Sequence, residues 1–445
     1  MNRNDDYLYL HFPLPADVAR RVAAGELDRA RGLIRGYLDR GCTPELAARL
    51  RCEEDRLARL ESSYPYTRAQ ALSLLRDEWT DCTEAQFDAL VDGGRIDWRH
   101  VNGEERYIGS FVGALRNYPK EAPGLKHKIE DHTRRNEMLS RMKAEGSLTA
   151  VITIKHTIRS KAPAGGKKVQ AWLPFPADCP QQAEIEILSA TPGYVLAPAD
   201  SPARTIYWES CDRDSFEVVY HYTHRASYVD ALSLPCDLVQ PDFDTGEELP
   251  HIAFTPYLRA LCQEITKDCK TALEKAHAIY QYVTERIDYR FQPSYVLLDA
   301  SIAEHCALSG RGDCGVMALL FITLCRIAGI PAQWQSGLSV QPDSAGCHDW
   351  CRFYIAPHGW LYADPSFGSG ARRQGEEDRR RHYFGNLDPQ RMVANSVFQA
   401  PLTPPDPCYR HDPYDNQLGE MTVDGVGLPG GGMERSVETV GFEFL

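Results

Sequence analysis

Through residues 1–145 apolar positions recur every three or four residues, the spacing of one face of a helix. Ala16–Ala24, Leu27–Leu38, Pro44–Leu60, Arg68–Trp79 and Glu84–Val91 carry the pattern, and Ala, Leu, Arg and Glu fill much of it. Thr43 followed by Pro44 reads as a helix cap with proline at the first helical position. Thr83 with Glu84 and Gln86 marks another start. The segment groups no catalytic residue types. It is expected to be an N-terminal helical domain serving as scaffold, lid or partner surface.

At Ser147 the period changes to two. Ala150, Ile152, Ile154 and Ile158 alternate with Thr153, Lys155 and Thr157; Phe216, Val218, Tyr220 and Tyr222 alternate with Glu217, Val219 and His221. Val169–Leu173, Glu184–Leu188 and Thr205–Trp208 lie between, separated by turns such as Ala164-Gly165-Gly166 and Thr191-Pro192-Gly193. A small accessory β-sandwich is therefore expected over residues 146–240. His156, His221 and His224 within it read as structural or surface residues. Residues 226–254, rich in Pro, Asp and Ser, read as an extended crossing segment. Helices resume at Thr255-Pro256, and Thr271-Ala-Leu-Glu274 is a capping box before Ala276–Ile287. After Pro404 the pattern dissolves. Residues 411–445, with the glycine-rich stretch Met421–Met433, are expected to be a flexible or docking tail.

Composition narrows the classes. A chain of 445 residues exceeds one ordinary core, so two or three domains are expected. The net charge of −13 argues against nucleic acid or an anionic membrane as partner. One basic run, Arg372–Arg373 and Arg379–Arg381, is interrupted by Glu376, Glu377 and Asp378 and reads as a solvated loop. Val316–Leu324 is the longest near-continuous apolar stretch, far short of the ~20 residues that span a bilayer. Met1–Pro15 carries no cationic segment leading into an apolar one, so no secretory signal is visible. The fourteen cysteines are scattered, with no Cys-x-x-Cys pair, and read as reduced thiols of a cytoplasmic protein. Cys347 and Cys351 are the closest pair and flank His348. A metal site through Cys314, Cys347, His348 and Cys351 is a competing reading that the spacing disfavours. No cofactor and no metal are expected.

The candidate chemistry lies in residues 310–368. Gly310-Arg311-Gly312 is a turn, Asp313 a helix cap, and Cys314 the first residue of a helix. Val316–Ile327 is apolar nearly all round, which predicts a buried helix ended by Gly329. The helix dipole and free amides at its start are expected to favour thiolate at Cys314 and lower the thiol pKa. The Cys314 amide is a candidate oxyanion donor. Tyr289, Gln292, Tyr295 and, as a shield, Trp350 are weaker candidates for substrate binding or the oxyanion. Downstream, residues 348–356 and 360–364 predict a hairpin through Ala356-Pro-His-Gly359, whose alternation puts His348, Trp350, Arg352 and Tyr354 on one face. A minimal turn pairs Asp364 closer to Arg352 than to His348, so a His348–Asp364 pair needs a longer loop, a bulge or strong twist. If the pair forms, His348 takes the thiol proton and Asp364 holds the imidazole tautomer. Each residue also has a plain structural role open to it: Cys314 as a buried apolar group, His348 as a strand cap, and Asp364 as part of the Asp-Pro turn. His358 is expected in the turn and exposed.

Gly312-Asp-Cys-Gly-Val-Met-Ala-Leu-Leu-Phe321, Cys325-Arg-Ile-Ala-Gly-Ile-Pro-Ala332, His348-Asp-Trp-x-x-x-Tyr354 and Gly359-Trp-Leu-Tyr-Ala-Asp-Pro365 resemble the transglutaminase-like superfamily. Phe384-Gly-Asn-Leu-Asp-Pro and Arg391-Met-Val-Ala-Asn are similar to the end of a bacterial branch of it. The resemblance implies that Cys314 is the nucleophile, His348 the base and Asp364 the orienting acid. It implies an α+β fold: a papain-like core over residues 241–410, with the Cys-bearing helix packed on an antiparallel sheet, preceded by the β-sandwich and the helical domain. Animal calcium-activated members have an oxyanion tryptophan upstream of the cysteine; none lies between Trp208 and Cys314 here, and no acidic loop of calcium-site spacing is evident. Calcium independence is therefore expected. The superfamily includes proteases, peptide:N-glycanases, transamidases and silent members, so membership leaves the reaction open. The expected function is a thiol-dependent amide hydrolase or acyltransferase on a peptide, protein or small amide, with hydrolysis preferred because water needs no second site. The alternative is a catalytically silent scaffold that binds peptide. Oligomeric state is left open.

Overall fold

The computed structural model describes residues 3–127, 132–298 and 301–445. They form two compact units. One comprises Asp5–His132 and Arg290–Ala300; the other comprises Thr133–Tyr289 and Ser301–Leu445, together with the residues before Asp5.

The first unit holds helices α1 (Ala16–Ala23), α2 (Leu27–Arg40), α3 (Pro44–Ser63), α4 (Arg68–Glu78), α5 (Glu84–Asp92) and α6 (Phe111–Leu115), with a hairpin of β1 (Trp98–Val101) and β2 (Glu104–Tyr107) before α6. The helices start where the caps predict. Thr43 accepts from the Leu46 amide, and Thr67 and Thr83 form reciprocal capping boxes with Gln70 and Gln86. Two apolar clusters hold the unit, one around Ile34, Leu50 and Leu57 and another around Leu75, Trp79, Phe87 and Phe111. The segment after Tyr289 belongs here: Arg56 donates to the carbonyls of Val296 and Leu298, and Leu297 packs on the second cluster.

The second unit opens with α7 (Thr133–Glu145) and then builds a sandwich from β3 (Ser147–Ser160), β4 (Val169–Pro174), β5 (Gln182–Ala190), β6 (Val195–Leu196), β7 (Thr205–Ser210) and β8 (Ser215–Ser227). Burial along β3 and β8 alternates strictly, as the period of two requires. His156 and His224 are buried among these strands, and burial holds their imidazoles neutral, down to about 4 and about 3.

The core follows: α8 (Pro256–Thr266), α9 (Ala272–Arg286), β9 (Asp288–Tyr289), α10 (Ile302–Ser309), β10 (Arg311–Gly312), α11 (Cys314–Ile327), β11 (Ala332–Gln341), β12 (Ser344–Ile355), β13 (Gly359–Ala363), α12 (Pro365–Arg373), α13 (Glu377–His382), β14 (Phe384–Gly385) and β15 (Arg391–Asn395). Its sheet runs β14-β13-β12-β11-β15, all antiparallel. Helix α11 is buried from Gly315 to Arg326, as its apolar circumference predicts. Each buried Leu, Ile or Phe on it contributes about 1.5–3 kcal/mol, which anchors the helix and fixes where its first residue sits. Leu338, Val340, Met392 and Ala394 of the core sheet join the apolar cluster of the sandwich, so the two share one interior.

Two expectations are corrected. The basic run is solvated only in part: Arg372, Arg373 and Arg381 are exposed, whereas Arg379 and Arg380 are buried and paired with acids. Arg379 meets Glu376 at 3.0 Å, and Arg380 meets Glu285 at 2.9 Å and Glu377 at 3.3 Å. Residues 411–445 are not a loose tail. They supply β16 (Glu420–Val423), β17 (Val426–Gly427) and β18 (Met433–Phe444). Strand β18 pairs with β3 from Met433↔Ser160 to Phe444↔Ala150, and the sandwich sheets read β18-β3-β8-β5 and β17-β16-β4-β7-β6. Gly425 turns the chain between β16 and β17, Gly427 ends β17, and Gly430–Gly432 form a short 3-10 turn before β18. The strand pattern itself is interrupted by a register break between Thr439 and Gly441, which hides its alternation from a period-of-two search. The sandwich thus draws on the end of the chain as well as on residues 146–240.

Deleting residues 433–445 should lower the melting temperature by at least several degrees and raise dye binding to exposed apolar surface, because the edge of β3 and the Ile154–Ile158 layer lose their cover. An unchanged melting curve would mean that this segment is a tail after all.

Candidate active site

The cysteine is placed by three local devices. Gly310, in the left-handed region at φ 64, ends α10. The chain then makes a short parallel pair, Arg311↔Asp288 and Gly312↔Tyr289. A Cβ on Gly312 would stand 2.8 Å from Val316 Cγ1, so only glycine lets the turn approach α11 this closely. Asp313 Oδ1 accepts the Val316 amide at 3.2 Å, which caps the helix and makes Cys314 its first residue.

The hairpin is tight. Its ladder runs from Ile355↔Gly359 to Cys351↔Ala363. Asp364 lies one residue past that ladder, where the chain leaves the sheet and caps α12 with Pro365 at its first turn. No long loop or bulge is needed: the cap conformation carries the carboxylate diagonally to His348, whose Nε2 is 2.7 Å from Asp364 Oδ2. The other oxygen, Oδ1, accepts from the Phe367 amide and the Ser366 hydroxyl, each at 2.9 Å. Asp364 therefore serves the Asp-Pro turn and meets the imidazole at once. Both side chains are buried.

A buried arginine completes this network, and sequence reasoning did not assign it. Arg391 is wholly enclosed, with Nη1 3.0 Å from Asp364 Oδ2 and Nη2 2.9 Å from Asp388 Oδ2. The first contact is an ion pair by distance whose angles fall outside hydrogen-bond geometry; the second is also a hydrogen bond. Tyr383 donates to Asp388 at 2.9 Å. The guanidinium lies 4.5 Å from the centre of the Phe367 ring and 5.3 Å from that of Trp350, and the His348 ring sits 4.4 Å from Phe367. The available signal was a charge at each side of Pro389-Gln390, next to the apolar run Met392–Ala394, since charges beside buried strands are rarely unpaired.

Electrostatics follow from burial. For Asp364 burial acts upward, but His348 and Arg391 outweigh it and hold the carboxyl below its ordinary value. For His348 burial wins over the attraction of Asp364, so the ring's pKa is lowered. Cys314 departs from expectation. Burial, then the carboxylates of Asp349 and Asp313, push its thiol well above the ordinary value, against a smaller downward pull from the Asp349 backbone hydrogen bond. The residue still reaches solvent in part. Its Sγ donates to Asp349 Oδ2 at 3.2 Å, and among the described residues this, rather than a bond to His348, is its side-chain hydrogen bond. Burial therefore favours the neutral form of the Cys314 thiol and of the His348 imidazole alike.

The remaining candidates fall out differently. Trp350 is buried, donates from Nε1 to Gln335 at 2.9 Å, and lies beside the His348 ring at 5.9 Å, a position that shields it. Tyr289 pairs with Gly312, two residues before the cysteine. Gln292 and Tyr295 belong to the N-terminal unit, where the Gln292 amide donates to the Arg290 carbonyl at 3.1 Å. The Cys351 thiol is taken up by the Ala363 carbonyl at 3.3 Å and Cys347 is exposed; among the described residues no group of three or more His, Cys, Asp or Glu is arranged to hold a metal ion. His358 is exposed in the turn.

A helix-borne cysteine packed on an antiparallel sheet, with histidine on one strand and aspartate just past the next, defines a papain-like α+β core. Residues 259–365 match the family model of the transglutaminase-like superfamily. No curated protein matches the chain. A solved structure named "Putative Cysteine Protease from Cytophaga hutchinsonii" aligns over 67% of this chain and 93% of its own, at 13% identity and a TM-score of 0.41. The periplasmic domain of TgpA from Pseudomonas aeruginosa aligns over 55% of this chain and 96% of its own, at 13% identity and a TM-score of 0.27. No helix among the described residues is long and apolar enough to cross a membrane.

Arg391→Met should cost about 3–5 kcal/mol of stability in denaturant titration, because it leaves two buried carboxylates uncompensated. A loss below about 1 kcal/mol would show that Asp364 and Asp388 do not depend on it.

Proposed function

We propose that the protein is a thiol-dependent amide-bond hydrolase, or acyltransferase, that works through an acyl-enzyme on Cys314. The observation that carries this reading is the buried 2.7 Å contact of His348 Nε2 with Asp364, on the strand next to a helix that begins at Cys314. Because Asp364 accepts at Nε2, the neutral ring carries its hydrogen there and leaves the lone pair on Nδ1. Nδ1 takes the thiol proton as the sulfur attacks the amide carbonyl, and the imidazolium then gives that proton to the departing amine. Asp364, kept charged by Arg391, balances the imidazolium. The Cys314 amide at the open start of α11 is positioned as a donor to the oxyanion. Water, or an amine in its place, releases the acyl group.

The neutral resting pair has a consequence. Charge separation is not stored in the free enzyme, so proton transfer is coupled to substrate entry, when catalytic hydrogen bonds tighten. Hydrolysis is the preferred outcome because water needs no dedicated acceptor site. The substrate class is a peptide, protein or small amide, and the chemistry proceeds without calcium. Fourteen thiols, all unpaired, favour a reducing compartment such as the cytoplasm. A second reading, a silent scaffold that uses the same fold to bind peptide, draws on one observation: the Cys314 thiol bonds to Asp349 rather than to His348.

Against a panel of peptide and small-amide substrates, Cys314→Ala and His348→Ala should each lose at least about 1,000-fold in kcat/KM with the melting curve retained. Mass spectrometry of the quenched wild-type reaction should find the acyl group on Cys314. A folded Cys314→Ala protein with full activity would end the catalytic reading.

A further inference from the structure

The mechanism makes no use of Asp349, although it touches the nucleophile. Its carboxylate is buried and accepts from three sides. Oδ2 takes the Cys314 thiol hydrogen at 3.2 Å. Oδ1 takes the Gln417 amide at 2.6 Å, and the same amide donates to the His348 carbonyl at 3.0 Å. The third partner is the carboxyl of Asp415, which interacts with the Asp349 carboxyl and with the Ser336 hydroxyl. Asn395 in turn donates to Ser336 at 3.0 Å. Gln417 and Asp415 both lie in the segment before β16, so the end of the chain reaches the nucleophile through this one carboxylate.

Two buried carboxyls in contact cannot both be charged at ordinary pH, so the pair retains a proton. The surroundings agree. Burial and the charges of Asp349 and Asp412 hold Asp415 well above the ordinary carboxyl value, and burial with Asp313 lifts Asp349 to about 7. Among the described residues the titratable groups that act most on Asp349 are Asp313, which caps α11, Cys314, and Asp412 and Asp415 from the C-terminal segment. A thiolate formed beside a bare Asp349 carboxylate would be strongly disfavoured, whereas one formed beside a protonated Asp349 would gain a donor.

We propose that Asp349, braced by Gln417 and Asp415, is a positioning residue for Cys314: it accepts the thiol hydrogen at rest and donates to the sulfur once the thiolate forms. The balance is closed. The S–H proton goes to His348 Nδ1, and the proton held by Asp415 crosses their shared hydrogen bond to Asp349, which turns its O–H to sulfur. Asp415 is left as the carboxylate, with the Ser336 hydroxyl as its donor. The steps reverse when the thiol is released. This inference rests on the catalytic reading of Cys314.

The test is the rate of Cys314 alkylation by iodoacetamide, followed on its own peptide by mass spectrometry from about pH 5 to about pH 10, with kcat/KM measured in parallel. In wild type the rate should stop rising, or fall, toward the alkaline end of that range as the pair loses its proton. Asp349→Asn supplies a permanent N–H donor and should lack that limb, alkylating at least about fivefold faster than wild type at about pH 9. Asp415→Asn removes the transferable proton and should be at least about fivefold slower near pH 7, and the double variant Asp349→Asn/Asp415→Asn should recover. Gln417→Ala, which removes the brace without altering charge, should slow alkylation while retaining the melting curve. A Cys314 alkylation profile indifferent to Asp349 and Asp415, in an enzyme that still loses its activity in Cys314→Ala, would overturn this inference alone. A folded Cys314→Ala protein with full kcat/KM would overturn it together with the catalytic reading.

Discussion

The site depends on one buried ion pair, Arg391 with Asp364. Asp364 lies past the end of the β12–β13 ladder, with its amide held by the Tyr383 carbonyl at 3.0 Å. Its carboxylate is fixed by the cap of α12 on one oxygen and by Arg391 and His348 on the other. A carboxylate at that depth, without a cation, would take up a proton and stop accepting from the imidazole. Arg391 prevents this and is itself neutralised by Asp388, so the group is a closed set of two acids and one base under Trp350, Phe367 and Tyr383. A pair broken at depth costs far more than an exposed one, and therefore the geometry of His348 is tied to the integrity of β15.

Much of this was legible along the chain. The cap at Asp313 and the apolar circumference of Val316–Ile327 placed Cys314 at a helix start, and those are strictly local signals. The helices of the first unit were equally open to reading, because Thr43 and Thr83 cap where their sequence neighbours say they should. The position of Asp364 was harder. Strand register alone set it against the wrong neighbour, and only the change from strand to helix cap brings its carboxylate to His348. Arg391 and Asp388 escaped because their partners are distant in sequence and no spacing rule links them.

The ionisation of Cys314 shows where a sound local rule meets a stronger one. A helix start does favour thiolate, by an amount of order 1 kcal/mol. Burial and two carboxylates act the other way; Asp313 stands next to the cysteine in sequence, but neither the burial nor Asp349 can be read there. The C-terminal strands were lost for a related reason: the register break in β18 interrupts the alternation, and their partners in β3 lie at the far end of the unit in sequence.

These features give one picture: a neutral thiol and a neutral imidazole, with the ring's hydrogen fixed toward Asp364 by a carboxylate that Arg391 keeps charged. Nitrogen NMR of the His348 ring, in protein labelled at histidine, tests it most directly. At about pH 7 the spectrum should show a protonated Nε2 and an unprotonated Nδ1, the neutral tautomer that can accept the thiol proton. A ring protonated at Nδ1 alone, or an imidazolium at that pH, would contradict the account.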